Sequence, residues 1–149
     1  MKRRDVLAAG AGLAMLALVR PVAATPADMA AAVAAFTGGA APREGKVRFD
    51  IAQLIDNGNA VPVTVAVESA MTAADHVAAV AIFNEKNPQT DVAVFTLGAR
   101  AGKAEVSTRI RLATSQRLIA IARMSDGSCW SKSVDVIVTL AACIEGEAP

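Results

Sequence analysis

The chain of 149 residues has little of what most catalytic sites need: it contains one histidine, two cysteines, one tryptophan and no tyrosine. A single histidine excludes a histidine-rich metal site. A cysteine–histidine pair would require His76 to meet Cys143, and the surrounding residues favour His76 as a hydrogen-bonded histidine inside a strand. No glycine-rich phosphate loop joins a strand to a helix. No enzyme constellation stands out, and we therefore predict no catalytic residues, no cofactor and no metal site.

An excess of charge of one sign is also lacking, since 15 basic residues are matched by 14 acidic ones. Residues 1–24 contain four of these basic residues and one acidic residue, so the rest of the chain has a net charge of −2. This balance gives no electrostatic reason to expect nucleic acid or an anionic membrane as a partner. Aromatic residues make up only 3% of the chain, which predicts a core of valine, isoleucine, leucine and alanine.

The N-terminal segment has the three parts of a secretory signal peptide. A basic start is followed by an apolar run over residues 6–19 and by small residues that permit cleavage after Ala24. The run is too short for a transmembrane helix, which needs about 20 apolar residues. Arg3 and Arg4 also resemble a twin-arginine export signal. We predict a signal peptide over residues 1–24 and a periplasmic mature protein; a buried N-terminal helix is the alternative.

The mature part predicts one short helix followed by strands. Thr25 as a cap, Pro26 in the first turn and Asp28 near the helix start predict a helix over residues 25–36. Alternating or apolar strand-like segments then follow, separated by turn residues: 47–51, 61–68, 76–83, 92–97, 105–112, 118–124 and 131–140. About seven strands at this spacing indicate an all-β, immunoglobulin-like antiparallel β-sandwich over residues 25–140.

The two cysteines have different surroundings. Cys143 follows an apolar strand in the C-terminal segment 141–149, which we expect to be a flexible arm that carries an accessible thiol. Cys129 lies near a turn at the start of the same predicted strand, whose ends would lie roughly 33 Å apart, and Cys143 can reach back from the far end by only about 10 Å. A disulfide requires Cα atoms within about 7 Å. We therefore predict that Cys129 is a separate, structural thiol, and that Trp130 beside it belongs to the core.

Several sequence blocks, in one order, make the chain resemble the SoxY family, the sulfur-carrying subunits of the bacterial thiosulfate-oxidising system. The blocks are Asp56-Asn57-Gly58-Asn59-Ala60-Val61-Pro62-Val63, His76-Val77, Glu85-Lys86-Asn87-Pro88, Phe95-Thr96-Leu97, Thr108-Arg109-Ile110-Arg111-Leu112-Ala113, Ser125-Asp126-Gly127 and Val138-Thr139-Leu140. The resemblance extends over nearly all of the mature sequence.

The resemblance implies a carrier that holds sulfur on Cys143 and forms a heterodimer with SoxZ, a second small sandwich protein. In this family, haem-containing SoxXA couples thiosulfate to the cysteine as an S-thiosulfonate, which is not a thioester. SoxB then removes sulfate by hydrolysis, and SoxCD oxidises the remaining sulfur in some organisms. The resemblance thus assigns a non-catalytic, covalent substrate carrier of a multi-enzyme system.

The arm departs from the usual Gly-Gly-Cys-Gly-Gly of this family. Ala141 and Ala142 precede Cys143, and Ile144, Glu145 and Gly146 follow it. Alanine is less flexible than glycine, isoleucine adds bulk, and a carboxylate disfavours an anionic adduct. The alternative function is therefore a SoxY-like subunit that keeps the partner interface without carrying sulfur.

Overall fold

Nine strands follow one helix in the computed structural model, which describes residues 23–141. The elements are α1 (Pro26–Thr37), β1 (Arg43–Glu44), β2 (Val47–Asp50), β3 (Leu54–Ile55), β4 (Val61–Val67), β5 (Val77–Asn84), β6 (Asp91–Thr96), β7 (Glu105–Ile110), β8 (Gln116–Met124) and β9 (Cys129–Val138), with a single 3₁₀ turn at Ala99–Ala101 between β6 and β7. The signal peptide predicted for residues 1–24 lies almost wholly outside the described residues.

The strands form two sheets that pack as a sandwich. The larger sheet has the order β1-β9-β8-β5-β6, with β3 also paired to β9, and the smaller has the order β2-β4-β7. The seven longer strands pair antiparallel, as the sequence predicts. The two-residue strands β1 and β3, which were not predicted, pair with β9 in parallel. They are too short to show a period of two, so only their hydrogen bonds to β9 define them.

Alternating side chains of both sheets fill the space between them. Val63 and Val65 of β4 contact a core that includes Ile82 of β5 and Leu118 of β8, and each of these four is at most 3% exposed. The core is aliphatic, as the low aromatic content predicts. On β9 the exposed Asp135 and Ile137 alternate with the inward-facing Val136, so this strand has one dry face and one wetter face.

Helix α1 covers part of the outer face of the larger sheet. Its start has a capping box, in which the Thr25 hydroxyl accepts the amide of Asp28 and the Asp28 carboxylate accepts the amide of Thr25, and it ends at Gly38 with a left-handed φ of 65°. Phe36 of the helix meets Phe83 of β5 edge to face, with ring centroids 5.8 Å apart. Because β5 is covered on both faces, it is a nearly continuous apolar run.

His76 lies one residue before β5, although the sequence placed it inside the strand. Its Nδ1 is 3.0 Å from the carbonyl oxygen of Thr72, and its amide donates to the Ser125 hydroxyl at 3.1 Å. The hydrogen bonds expected for His76 are therefore present, in a loop at the strand start. Within residues 23–141, no helix is long and apolar enough to cross a membrane.

Candidate functional site: the root of the C-terminal arm

Three hydrogen bonds, two of them between backbone groups, fix the end of β9, where the C-terminal arm begins. The Val138 amide donates to the Ser115 hydroxyl at 2.8 Å. The Thr139 amide donates to the carbonyl of Ile55 at 2.9 Å, and the Gly58 amide donates to the carbonyl of Leu140 at 2.8 Å. The chain is thus held on both sides up to Leu140, and we call residues 138–140 the arm root.

The turn at residues 56–59 holds the arm root to the rest of the sandwich. The Thr139 hydroxyl donates to the carbonyl of Asp56 at 3.1 Å. On the opposite side of the turn, the Gly58 carbonyl accepts the Leu112 amide at 2.8 Å. Leu112 is fully buried, so this bond connects the turn to the core. The sequence predicts a turn at residues 57–59 and places residues 56–59 in a block that resembles the SoxY family. Their contact with the arm root depends on the pairing of β3 with β9.

A partly buried network of amide side chains supports the loop that carries Ser115. The Asn87 side-chain oxygen accepts the Ala113 amide at 3.0 Å and the Gln116 side-chain amide at 2.8 Å. The Asn87 amide donates to the carbonyl of Arg111 at 2.8 Å. Asn84 fixes Asn87 in turn, because its side-chain oxygen accepts the Asn87 backbone amide at 2.8 Å. These bonds fix the loop, and with it the hydroxyl that holds Val138.

The predicted site residues fall at and beyond this root. Ala141 is exposed and is the last described residue. Cys143, the residue predicted to carry sulfur, and its flanks Ala142, Ile144, Glu145 and Gly146 lie outside the described residues. The structure therefore fixes where the arm starts, and covalent geometry limits where Cys143 can be. Three residues beyond Leu140, its Cα is at most about 11 Å from the Leu140 Cα.

Cys129, the other cysteine, has the surroundings of a structural thiol. It is free, only 3% exposed, and packs beneath α1 with Phe83 and Ile121. Burial raises the pKa of the Cys129 thiol, against the opposing effect of the nearby Arg123 guanidinium. A protonated, covered thiol is a poor nucleophile and a poor carrier. The buried position of Cys129 agrees with the prediction of a structural thiol.

Trp130 packs against the main core from a half-buried position, as predicted. The Arg43 guanidinium carbon lies 4.5 Å from the centroid of its ring system, and the Lys46 ammonium lies 5.0 Å from it.

Within residues 23–141 there is no group of three histidine, cysteine or acidic residues that could hold a metal ion. An open hollow on the smaller sheet is lined by Thr64, Ser107 and Arg109 among others, and it contains no cysteine or histidine.

Fold and site together define a class: a two-sheet, immunoglobulin-like sandwich whose last long strand leads, through a fixed root, to a cysteine-bearing tail. The model of the family "Sulfur oxidation protein SoxY" matches residues 33–143. The chain belongs to the SoxY family. The matched range ends at Cys143 itself.

Solved structures agree with this assignment. The sulfur carrier protein SoxY from Chlorobium limicola f thiosulfatophilum is 27% identical, with a TM-score of 0.63, over 78% of this chain and 100% of that chain. The superoxide reductase (neelaredoxin) from Ignicoccus hospitalis has a TM-score of 0.58 at 12% identity, over 78% of this chain and 95% of that one, which shows a shared fold. Comparison with curated protein sequences finds no match.

Proposed function

We propose that this protein is a periplasmic sulfur carrier that holds thiosulfate-derived sulfur covalently on Cys143 and presents it to the enzymes of a sulfur-oxidising system. The observation that carries the proposal is the position of the thiol. The family match reaches Cys143, and this residue lies three positions beyond Leu140, the last residue of the arm root that is held by hydrogen bonds. The other thiol, Cys129, is buried and so is not accessible to carry sulfur.

Loading is a two-electron oxidation. The Cys143 thiol and thiosulfate (S₂O₃²⁻) combine to form Cys–S–S–SO₃⁻, with release of one proton and two electrons, and a new S–S bond joins the cysteine sulfur to the outer sulfur of thiosulfate. The electrons pass to the haem-containing coupling enzyme SoxXA. Water then cleaves the bond between the sulfane sulfur and the sulfonate sulfur on SoxB, which yields Cys–S–S⁻, sulfate and two protons. SoxCD, where present, oxidises the remaining sulfane sulfur.

The carrier's own contribution is to keep the intermediate attached and to present it at a fixed place. A covalent tether turns each step into an encounter at high effective concentration. The arm root fixes the origin of the tether, so the thiol stays within a small volume around Leu140. SoxZ is the proposed stable partner, and SoxXA, SoxB and SoxCD are transient ones. Export by the twin-arginine route would deliver the folded chain to the periplasm, where these partners act.

The first experiment is the intact mass of the protein purified from thiosulfate-oxidising cells, before and after reductant, with Cys143 located by peptide mapping. We expect a reductant-labile adduct on Cys143 and none on Cys129. Cys143→Ser is the matched variant, and it should abolish both the adduct and sulfur oxidation while leaving SoxZ binding unchanged. The control variant Cys129→Ala removes the other thiol and should keep the adduct.

A non-carrying SoxY-like subunit remains the second candidate, favoured by the isoleucine and the carboxylates that follow Cys143. It predicts a bare thiol in cells that actively oxidise thiosulfate and unchanged oxidation in Cys143→Ser. Either result contradicts the carrier function.

A further inference from the structure

Four large hydrophobic side chains remain exposed among the described residues, and three of them surround the arm root. Leu54 is 62% exposed, Ile137 61% and Leu140 60%; the fourth, Val94, is 55% exposed. Val94 lies on β6, at the opposite edge of the larger sheet. We call Leu54, Ile137 and Leu140 the arm-root patch. Exposed aliphatic side chains are common singly, and their clustering at one place marks an interaction surface.

The structure places two of these side chains next to each other, and the third lies close by along the chain. Leu54 and Ile137 are register partners on the parallel strands β3 and β9, so their side chains stand side by side on one face. Leu140 is three residues further along the same chain, within about 10 Å of Ile137. The hydrogen bond from the Gly58 amide fixes its backbone at the end of the strand. The patch is therefore part of the rigid sandwich up to the point where the arm starts.

A charged pair borders the patch. Asp135 lies two residues before Ile137, and hence on the same face of β9, where it accepts two hydrogen bonds from Arg117 at 2.9 and 3.1 Å. The Arg117 guanidinium holds the pKa of the Asp135 carboxyl below its usual range, so the pair stays ionised and neutral overall. An apolar centre beside a polar rim is the arrangement found in protein–protein interfaces.

The reach of the arm identifies what covers the patch. Any active site that acts on Cys143 must bring its reacting groups to a thiol whose Cα is within about 11 Å of Leu140. An enzyme is much larger than this distance, so its surface around the active-site entrance has to lie against the arm root while the thiol is inside. The large hydrophobic side chains exposed there are Leu54, Ile137 and Leu140.

We propose that the arm-root patch is the docking surface for the enzyme that loads Cys143, and that this enzyme has an apolar rim around its active-site entrance. The proposal rests on the carrier function of Cys143. Contact with the patch desolvates the aliphatic side chains and gives affinity that the short arm alone does not provide. The Arg117–Asp135 pair at the border helps to orient the docked enzyme.

The test compares loading of Cys143 by purified SoxXA from the same organism in three proteins: wild type, Leu54→Ser/Ile137→Ser and the control Val94→Ser. The control removes an equally exposed aliphatic side chain from the same sheet, far from the arm. Adduct formation is followed by intact mass at enzyme concentrations below and above saturation. We expect the double variant to require at least tenfold more SoxXA for half-maximal loading, with little change in the rate at saturation. The conservative variant Ile137→Leu, which keeps an aliphatic side chain in the patch, should be loaded as well as the wild type.

A second measurement separates docking from effects on the thiol or the fold. Alkylation of Cys143 by iodoacetamide needs no protein partner, so its rate should be equal in all of these proteins, and the melting temperatures should agree.

The proposal would be overturned if wild type and double variant needed the same SoxXA concentration for half-maximal loading. Faster alkylation in the double variant would also overturn it, because the chain's own tail would then cover the patch. If the wild type forms a dimer and the double variant does not, the patch binds a second copy of this chain instead of the enzyme. Failure of the wild type to be loaded at all would overturn the carrier function itself, and the docking role with it.

Discussion

At the scale of single residues, one hydroxyl group binds the last residue of β9, the strand that leads to the arm. Ser115 accepts the Val138 amide at 2.8 Å in a partly buried position. Replacing Ser115 by alanine leaves this amide without that partner, and we expect the free energy of unfolding to fall by about 1 kcal/mol. Hydrogen exchange at Val138 should become faster, which peptide-resolved exchange would detect. Ser133→Ala, at an exposed position on the same strand, is the control; equal exchange at Val138 in both variants would contradict this role of Ser115.

The residues after the thiol set a second expectation at this scale. Glu145 and Glu147 place negative charge near an adduct that is itself anionic, and two like charges 4 Å apart repel by about 1 kcal/mol even in water. Replacing residues 144–149 by Gly-Gly should therefore raise the fraction of Cys143 that carries an adduct. Glu145→Gln/Glu147→Gln keeps the length and Ile144, and so separates charge from bulk. If intact mass shows an unchanged adduct fraction in both variants, neither the charge nor the bulk of these residues limits loading.

At the scale of elements, the start of α1 should respond to acid. Hydrogen bonds from the Thr25 side chain and backbone lower the pKa of the Asp28 carboxyl below its usual range. Because the folded pKa lies below the unfolded value of about 3.9, the carboxylate stabilises the fold above that pH. This contribution is lost as the pH falls through the folded pKa. Asp28→Asn should be less stable than wild type at pH 7 and equal to it near pH 2, by urea unfolding. Asp28→Glu keeps the capping box and should behave as wild type; a constant difference across this range would contradict the titration.

Helix α1 also acts as the cover of Cys129. Phe36 packs edge to face on Phe83, and Arg123 donates to the carbonyl of Phe36 at 3.1 Å. Phe36→Ala should cost roughly 1–3 kcal/mol, less than a fully buried phenylalanine, since this ring is half-buried.

In a Cys143→Ser background, Phe36→Ala should speed alkylation of Cys129 at every pH. The alkylation profile should also shift to lower pH, because burial is what raises the pKa of this thiol. Met29→Leu keeps an apolar side chain of similar size on the helix and is the matched control. An alkylation rate that Phe36→Ala leaves unchanged would mean that the helix does not protect the thiol.

At the scale of the whole molecule, the length of β9 keeps the two thiols apart. Cys129 begins the strand and Val138 ends it, which separates their Cα atoms by about 30 Å at 3.3 Å per residue. The arm root fixes the chain up to Leu140, and the remaining three residues span at most about 11 Å. Oxidation with diamide should therefore give no intramolecular disulfide while the protein is folded. Mass spectrometry of the alkylated monomer tests this, and the same treatment in urea is the control, in which the bridge becomes accessible.

The sequence alone determined the features that arise locally. The caps of α1 depend on residues three positions apart, and the alternation in β4 and β9 reports which face of each strand is buried, so these elements and the sandwich class were predictable. The prediction that Cys129 and Cys143 lie too far apart for a disulfide followed from the length of one strand. The resemblance to the SoxY family, which the family match confirms, also rests on sequence blocks.

Only the tertiary structure decided which distant segments meet. Strands β1 and β3 exist because β9 pairs with them, and two residues are too few to show any period. For the same reason, the sequence could not show that Ser115, Ile55 and Gly58 hold the arm root. The clustering of Leu54 with Ile137 is likewise a matter of register between strands more than 80 positions apart. Local sequence determines which face a side chain occupies, whereas the long-range pairing of strands determines which side chains share that face.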